Sequence, residues 1–253
     1  MVTRFTGKTV LLLGGTAGVG LATATHFAQE GAHVTLLGRN AARGQTALTQ
    51  IHAAAPGAVA KFLCTDAADP AAAMRAAEAA GPTDILVCST GPSHPPCLLK
   101  DIPAADMASL INEIILPPLH MIKAVLPDME ARKGGVIITV ASDAAKLATP
   151  GETLIGAAMA AITMFCRAAA VEEKRHHIRI NILTPSLIAN SPGAALIATK
   201  PFSAKLFAKA AQLAQLGVPE SIDLAALTLF LASDEARRIT GQAISVNGGI
   251  SVA

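Results

Sequence analysis

The sequence predicts an α/β protein: a seven-stranded parallel sheet, doubly wound, with helices on both faces. Two observations carry that prediction. Short apolar runs alternate along the chain with alanine-rich segments of helical length, as happens when strands buried on both faces are joined by crossover helices. The chain also has 253 residues, 52% of them hydrophobic, enough for one substantial core. No Pro/Gly/Ser-rich linker, charge block or internal repeat interrupts it, so residues 1–253 read as a single domain.

Taken in order, Thr9 to Leu13 is an apolar run that stops at a pair of glycines and reads as the first strand, and Val19 to Glu30 is the helix that returns from it. His33 to Leu37 is the second apolar run, followed by the helical segment Ala41 to Ala55. Val59 to Cys64 and then Pro70 to Ala80 repeat the alternation, and Ile85 to Cys88 supplies a fourth strand. Ala104 to Arg132 reads as a long helix that Pro117 and Pro118 should kink. Val136 to Val140 is the fifth strand and Glu152 to His176 the fifth helix. Within that helix Leu154 to Cys166 is the longest apolar stretch; it falls short of the roughly 20 residues that cross a bilayer and reads as a buried helix. Arg179 to Leu183 is the sixth strand. Ser191 to Leu216 is a helical segment, and after the turn at Leu216-Gly217 the last helix, Pro219 to Ala232, restarts with Asp223 near its beginning. Ala243 to Val246 completes the sheet. In open sheets of this kind ligands lie beyond the carboxyl ends of the strands, so chemistry is sought in the loops after Leu13, Leu37, Cys88, Val140 and Leu183.

The formal net charge is +2 and the charged residues are scattered, with no polybasic run and no interleaved aromatics; nucleic acid is therefore not expected as a partner. Residues 1–8 run straight into the first strand without a secretory core and cleavage site, which makes a cytoplasmic location, away from membranes, the expectation. Cys64, Cys88, Cys97 and Cys166 have no spacing that would pair them around zinc or as a redox dithiol. They read as free thiols, and no metal site is assigned.

Gly14-Gly15-Thr16-Ala17-Gly18-Val19-Gly20 follows the first strand and opens the first helix. Glycines there permit a tight turn and let the backbone approach a pyrophosphate, which the free amides and dipole of the helix N-terminus then hold. The pattern predicts a Rossmann-type nucleotide site, although turns use glycine for their own sake as well. The second strand ends Leu37-Gly38-Arg39-Asn40, with no carboxylate for a ribose 2′-hydroxyl but a guanidinium suited to a 2′-phosphate. NADP is thus expected over NAD, the alternative being that Arg39 is a solvated surface charge. Asp66, just after the third strand, is placed to accept from the adenine amino group, or else caps its own turn.

At this point the chain resembles a short-chain dehydrogenase/reductase over essentially its whole length. Gly14, Gly18 and Gly20 keep the GxxxGxG spacing; Asp66, Asp84-Ile85-Leu86-Val87 with its loop to Gly91, and Gly135-Val136-Ile137-Ile138 leading to Ser142 carry it further. Arg179-Ile180-Asn181 followed by Pro185, then Ile239-Thr240-Gly241-Gln242 and Val246-Asn247-Gly248-Gly249, complete it. The resemblance implies an oxidoreductase with a nicotinamide cofactor, bound by Gly14, Thr16, Ala17, Gly18, Val19, Gly20, Arg39, Asn40, Asp66, Ala67, Cys88, Thr90, Gly91, Pro185, Ser186 and Ile188, and it implies a homo-oligomer, dimer or tetramer.

It also implies an Asn, Ser, Tyr, Lys tetrad, in which a phenol supplies the proton when hydride reaches a carbonyl and a neighbouring ammonium favours the phenolate. Bringing a Tyr from near 10 to near 7 takes about 4 kcal/mol of differential interaction. This chain has no tyrosine at all. Ser142 stands at the serine position, but the Tyr and Lys positions are Ile155 and Met159, in a frame held without a gap by Thr149-Pro150-Gly151-Glu152 and Gly156-Ala157-Ala158. Counting back from Ala124-Val125-Leu126-Pro127 puts the Asn position at Ile114; Asn112 would need a two-residue insertion that rotates the helix by about 200°. The family's Asn-Asn-Ala-Gly loop reads Cys88-Ser89-Thr90-Gly91, the Thr before the glycine loop is Leu13, and its Pro-Gly is Pro185-Ser186.

Other groups are weighed as substitutes. His94 is the best placed, against a plain surface histidine; Cys97 is a nucleophile only if its pKa is lowered; Lys146 and Glu152 read as decoration on a solvent-facing turn; Ser142 without a base is a remnant. His176 and His177 close a helix C-terminus, where a cation is favourable, and receive no ligand role. Ile197, Phe202, Leu206 and Phe207 point to an apolar small-molecule substrate, or are a helix's buried stripe. The expectation is an NADP(H)-binding oxidoreductase with a degenerate active site and a non-family proton source. A catalytically inactive nucleotide-binding subunit, assembling with itself or an active relative, is the alternative, with a lyase, isomerase or other binding protein behind both.

Overall fold

The computed structural model describes residues 3–253. Seven strands form one parallel sheet: β1 (Thr9–Leu13), β2 (His33–Gly38), β3 (Ala60–Cys64), β4 (Ile85–Cys88), β5 (Gly135–Val140), β6 (Ile178–Pro185) and β7 (Ala243–Val246), in the order β3-β2-β1-β4-β5-β6-β7. The order reverses between β1 and β4, which pair directly from Val10↔Ile85 to Leu13↔Cys88. A crevice opens where crossovers leave in opposite directions, here at the carboxyl ends of those two strands. Strand residues such as Leu12, Leu36, Leu86 and Ile137 are wholly buried, as a sheet covered on both faces requires.

The covering helices are α1 (Gly18–Gln29), α2 (Ala41–Ala54), α3 (Pro70–Ala80), α4 (Met107–Arg132), α5 (Thr153–Glu173), α6 (Pro192–Ile197), α7 (Pro201–Leu213) and α8 (Ser221–Ala232). Two hydrophobic clusters separate by face. Ile114, Met121 and Ile122 of α4 and Ile155, Met159 and Ile162 of α5 pack with Leu11, Leu86 and Ile137 on one side. Phe27 of α1, Ile51 of α2 and Leu224 of α8 pack with Leu12, Leu36 and Ile138 on the other.

Three expectations need correction. Ala104 to Asp106 form a 3-10 turn, and α4 then runs from Met107 to Arg132 as one α-helix with Pro117, Pro118 and Pro127 inside it. Pro117 and Pro118 are buried, so packing holds the helix where proline removes its hydrogen bonds. The segment 191–216 is two helices, broken at Ala198–Lys200 before Pro201. Finally, two helical stretches, 104–132 and 153–176, are long and apolar enough to cross a bilayer by length and composition, so the shortness of Leu154 to Cys166 does not decide the matter. Here both lie against the sheet and each other through the cluster above.

Several motif residues turn out to tie the frame together. Asp84 accepts from the Thr9 amide at 2.9 Å and from Arg132 at 2.7 Å, joining the starts of β1 and β4 to the end of α4. Asn181 donates to the Ile239 carbonyl and accepts from the Gln242 amide, and the Arg179 guanidinium donates to the carbonyls of Leu231 and Ser233. These buried or half-buried bonds fix the loop that leads into β7.

Candidate active site

The loop after β1 is built for close backbone approach. Gly14 has φ +79°, and a Cβ there would stand 2.5 Å from the Ser89 carbonyl oxygen of the loop after β4. A Cβ on Gly20 would run into the backbone of Gly14, so α1 sits directly against the turn. Ala17 is the N-cap of α1 in extended conformation; among the described residues no side chain caps it and no acid occupies the first turn. The first amides of α1 are thus left for an anion. Thr16 is beside Gly38, and Val19 is buried beneath the loop.

The remaining expected cofactor residues line the same end of the sheet. Arg39 and Asn40 follow β2 and are exposed. Arg39 makes no ion pair among the described residues, whereas the Asn40 side chain caps α2 by accepting from the Arg43 amide at 2.9 Å. Asp66 is exposed and accepts from the Ala68 amide at 3.1 Å, the turn-capping alternative; Ala67 is buried, its carbonyl taken by His120. Cys88 is buried, and desolvation pushes its thiol far above the ordinary range. Thr90 and Gly91 continue from it along the crevice. Pro185, Ser186 and Ile188 leave β6 toward α6, where the Ile188 carbonyl accepts from Ser191 and Pro192 lies over Gly18. The set fits a dinucleotide: bare amides for phosphate, glycines where a side chain would block it, and a free guanidinium at the end of β2.

The wall opposite is apolar. Ile155 and Met159, on the first turns of α5, are 4% and 3% exposed, and Ile114 of α4 joins them in one cluster together with Leu13 and Cys88. Asn112 points to solvent. Ser142 caps a short 3-10 turn, its Oγ accepting from the Ala144 amide at 3.2 Å.

His94 is not a free surface residue. Its Nδ1 is 3.0 Å from the Glu113 carboxylate of α4, which also accepts from the Ser93 hydroxyl. Burial works to raise the Glu113 pKa, but the hydrogen bonds from Ser93 and His94 outweigh it and hold the carboxyl below its usual range.

The turn between Ser142 and Ile155 is where sequence reasoning missed most. Lys146 and Glu152 do not decorate a solvent-facing surface. Asp143 is 5% exposed and is the centre of a polar network: it accepts from Ser245 and Ser251 at 3.0 Å each and from Asn247, and the Lys146 ammonium lies 3.6 Å away. Lys146 also donates to Ser245. Val246-Asn247-Gly248-Gly249 therefore acts on the β5 turn, a long-range contact with no local signature. Glu152 is the half-buried N-cap residue of α5. Burial pushes its carboxyl up to about 7; a hydrogen bond with Thr149 opposes this, and the nearby Asp143 charge adds to it. Cys97 is tied next to it, its amide donating to the Gly151 carbonyl at 2.8 Å, and the Phe202 ring of α7 lies against Gly151. Phe207 is buried, so only part of the expected apolar set faces outward.

Elsewhere, Glu130, Glu173 and His176 bring ligand-type atoms within 4.8 Å of one another near the ends of α4 and α5. His176 is bonded to Glu173 at 2.9 Å, which accounts for that pair without an ion.

Comparison with known proteins fits this geometry. The sequence model of a family described as enoyl-(acyl carrier protein) reductase matches residues 14–251. Among curated proteins the chain is similar to the 2,5-dichloro-2,5-cyclohexadiene-1,4-diol dehydrogenase of Sphingobium indicum, 33% identical over 257 residues that cover 100% of this chain and 99% of the relative. It is likewise similar to the 3-oxoacyl-[acyl-carrier-protein] reductase of Chlamydia trachomatis, 30% identical over 96% of this chain and 97% of that protein. Among solved structures, levodione reductase superposes with a TM-score of 0.91 at 24% identity, covering 97% of this chain and 98% of the other, a likeness of fold. A dehydrogenase/reductase from Sinorhizobium meliloti does so with a TM-score of 0.86 at 29% identity, over 99% and 98% of the two chains. With matches end to end and the crevice glycines in place, the chain belongs to the short-chain dehydrogenase/reductase family, whose members are oxidoreductases that use a nicotinamide dinucleotide.

Proposed function

We propose that this protein is an NADP(H)-dependent oxidoreductase whose proton chemistry does not run through the family's Tyr and Lys. The observation that carries the reading is the backbone cradle at residues 14–20, with uncapped α1 amides and glycines pressed against Ser89 and against each other. Such a cradle has one evident use, to hold a pyrophosphate. A bound dihydronicotinamide supplies hydride. The chain's own part is to bind and orient it: α1 amides at the phosphates, Arg39 at a 2′-phosphate, and Ile155, Met159 and Ile114 as a dry apolar wall. None of those three side chains can donate a proton, so the favoured acceptors are those that need little acid help, such as iminium ions, quinones or conjugated carbonyls.

The second reading, an inactive nucleotide-binding subunit, is supported by the same wall, since apolar packing at 114, 155 and 159 costs catalysis and favours stability. Self-association through α4 and α5 goes with either reading: Met164 and Val171 on the outer side of α5 are 62% and 63% exposed. We place the protein in the cytoplasm. The deciding experiment measures NADPH binding by fluorescence and NADPH oxidation with a panel of ketones, imines and quinones. Turnover with any of them supports the oxidoreductase; binding without turnover moves the assignment to the inactive subunit.

A further inference from the structure

Resting on the oxidoreductase reading, we propose that Glu152 is the proton donor of this site, standing where the missing phenol would have delivered its hydroxyl. Side chains on an α-helix lean toward its N-terminus, so a long side chain at position 155 would extend back over the preceding turn. The residue three back shares that face, and it is Glu152. A carboxyl rooted at 152 and a phenol rooted at 155 therefore converge on one place from two starting points.

The chain on either side of Glu152 is held by three neighbouring segments. The Gly151 carbonyl binds the Cys97 amide, bringing in the loop after β4; Phe202 of α7 covers Gly151; and the turn carrying Ser142 and Asp143 packs under the first turn of α5, where a Cβ on Gly156 would stand 2.9 Å from the Ala144 carbonyl. The first turn of α5, with Glu152 at its start, is thus bordered by the loops after β4 and β5 and by α7. Of the charged and titratable groups on those elements, Asp143 acts on it and favours its neutral form. Lys146 is engaged by Asp143 and Ser245, and His94 by Glu113. Cys97 is beside Gly151, and Lys200 and Lys205 of the α7 region are exposed. A carboxyl that keeps its proton to about pH 7 can act as an acid at neutrality. When an acceptor carbonyl carbon takes hydride, its π pair moves to oxygen; the Glu152 O–H bond breaks and the proton goes to that oxygen, giving an alcohol and a carboxylate that regains a proton from water.

The test pairs two acceptors. Cyclohexane-1,2-dione needs a proton as it is reduced; the N-methyl-3,4-dihydroisoquinolinium cation needs none. Glu152→Gln should lower the dione rate by about 100-fold or more and the iminium rate, measured below about pH 6 where the carboxyl is neutral, far less, and Glu152→Asp should recover part of the loss. The wild-type dione rate should fall above about pH 7 in a one-proton step that Glu152→Gln lacks. Independently of turnover, infrared titration of the cofactor-free protein, wild type minus Glu152→Gln, should show a carboxylic acid band titrating near 7. An unchanged dione rate in Glu152→Gln, or a band that titrates in the ordinary Glu range, overturns the assignment and leaves the oxidoreductase reading standing. A wild type that binds NADPH and reduces neither acceptor overturns both.

Discussion

The two walls of the crevice are made of different materials. The glycine loop after β1 is a backbone device: its essential features are the φ of Gly14, the contact of Gly20 with Gly14, and amides left free because Ala17 caps nothing. The wall after β5 is a side-chain device, and there Ile155 and Met159 are buried apolar residues on a helix that keeps its place. The difference teaches how such a fold can alter its chemistry without altering its frame. Replacing a side chain in a well-packed helix leaves the hydrogen-bonded scaffold intact, whereas adding a single Cβ at Gly14 or Gly20 moves backbone.

The largest effect expected from breaking this contrast is at the apolar wall. Met159→Lys alone puts an unpaired ammonium among Ile114, Ile155 and Ile162 and should cost about 3–5 kcal/mol in chemical denaturation. The double change Ile155→Tyr with Met159→Lys should recover part of that and create or raise ketone reduction, while Ile155→Tyr alone does little, since the pair acts as a unit. A double variant that binds NADPH and still leaves simple ketones untouched would make Ile114 the next obstacle.

At the backbone wall, Gly14→Ala should cost about 2–4 kcal/mol, from a left-handed non-glycine residue and from overlap with Ser89. NADPH affinity should fall with it in a fluorescence titration. Retention of both stability and affinity would mean the loop is softer than its contacts indicate.

Glu152 gives a third comparison, between protonation states. Its folded pKa is raised from an ordinary 4.5 to about 7, so between those values the folded chain binds more protons than the unfolded one and stability falls as pH rises. The penalty is absent below about pH 4.5 and complete above about pH 7. Glu152→Gln cannot ionise, so its stability in chemical denaturation should match wild type at pH 5 more closely than at pH 8, where the variant should lead by about 3 kcal/mol. An equal gap at both values would place the titration elsewhere.

The smallest effect sharpens the cradle. Arg39→Ala should weaken NADPH about tenfold, or about 1.4 kcal/mol, relative to NADH. An equal loss for both cofactors would mark Arg39 as a solvated charge.

Much of the frame was legible in the sequence because its signals are local. Thr9–Leu13, Ile85–Cys88, Pro70–Ala80 and Ala243–Val246 have the boundaries their apolar or alanine-rich runs predict. The segment 191–216 broke where a proline begins a new helix, at Ala198–Lys200 before Pro201. What stayed hidden depends on residues far apart in the chain: the Asp143 network reaches Ser245, Asn247 and Ser251, and the ties of Asn181 and Arg179 reach Ile239 and Ser233. His94 looked free because Glu113 is on another element.

The sequence by itself determined the strand and helix alternation, the glycine spacing and the replacement of any phenol and ammonium at 155 and 159 by aliphatic side chains, since periodicity and residue identity need no third dimension. Only the tertiary structure decided which polar groups are buried and with whom. Lys146 and Glu152 have the composition of a surface turn; packing of the β4 loop, α7 and the β7 end around them withdraws them from water, and for Glu152 that desolvation raises the carboxyl pKa.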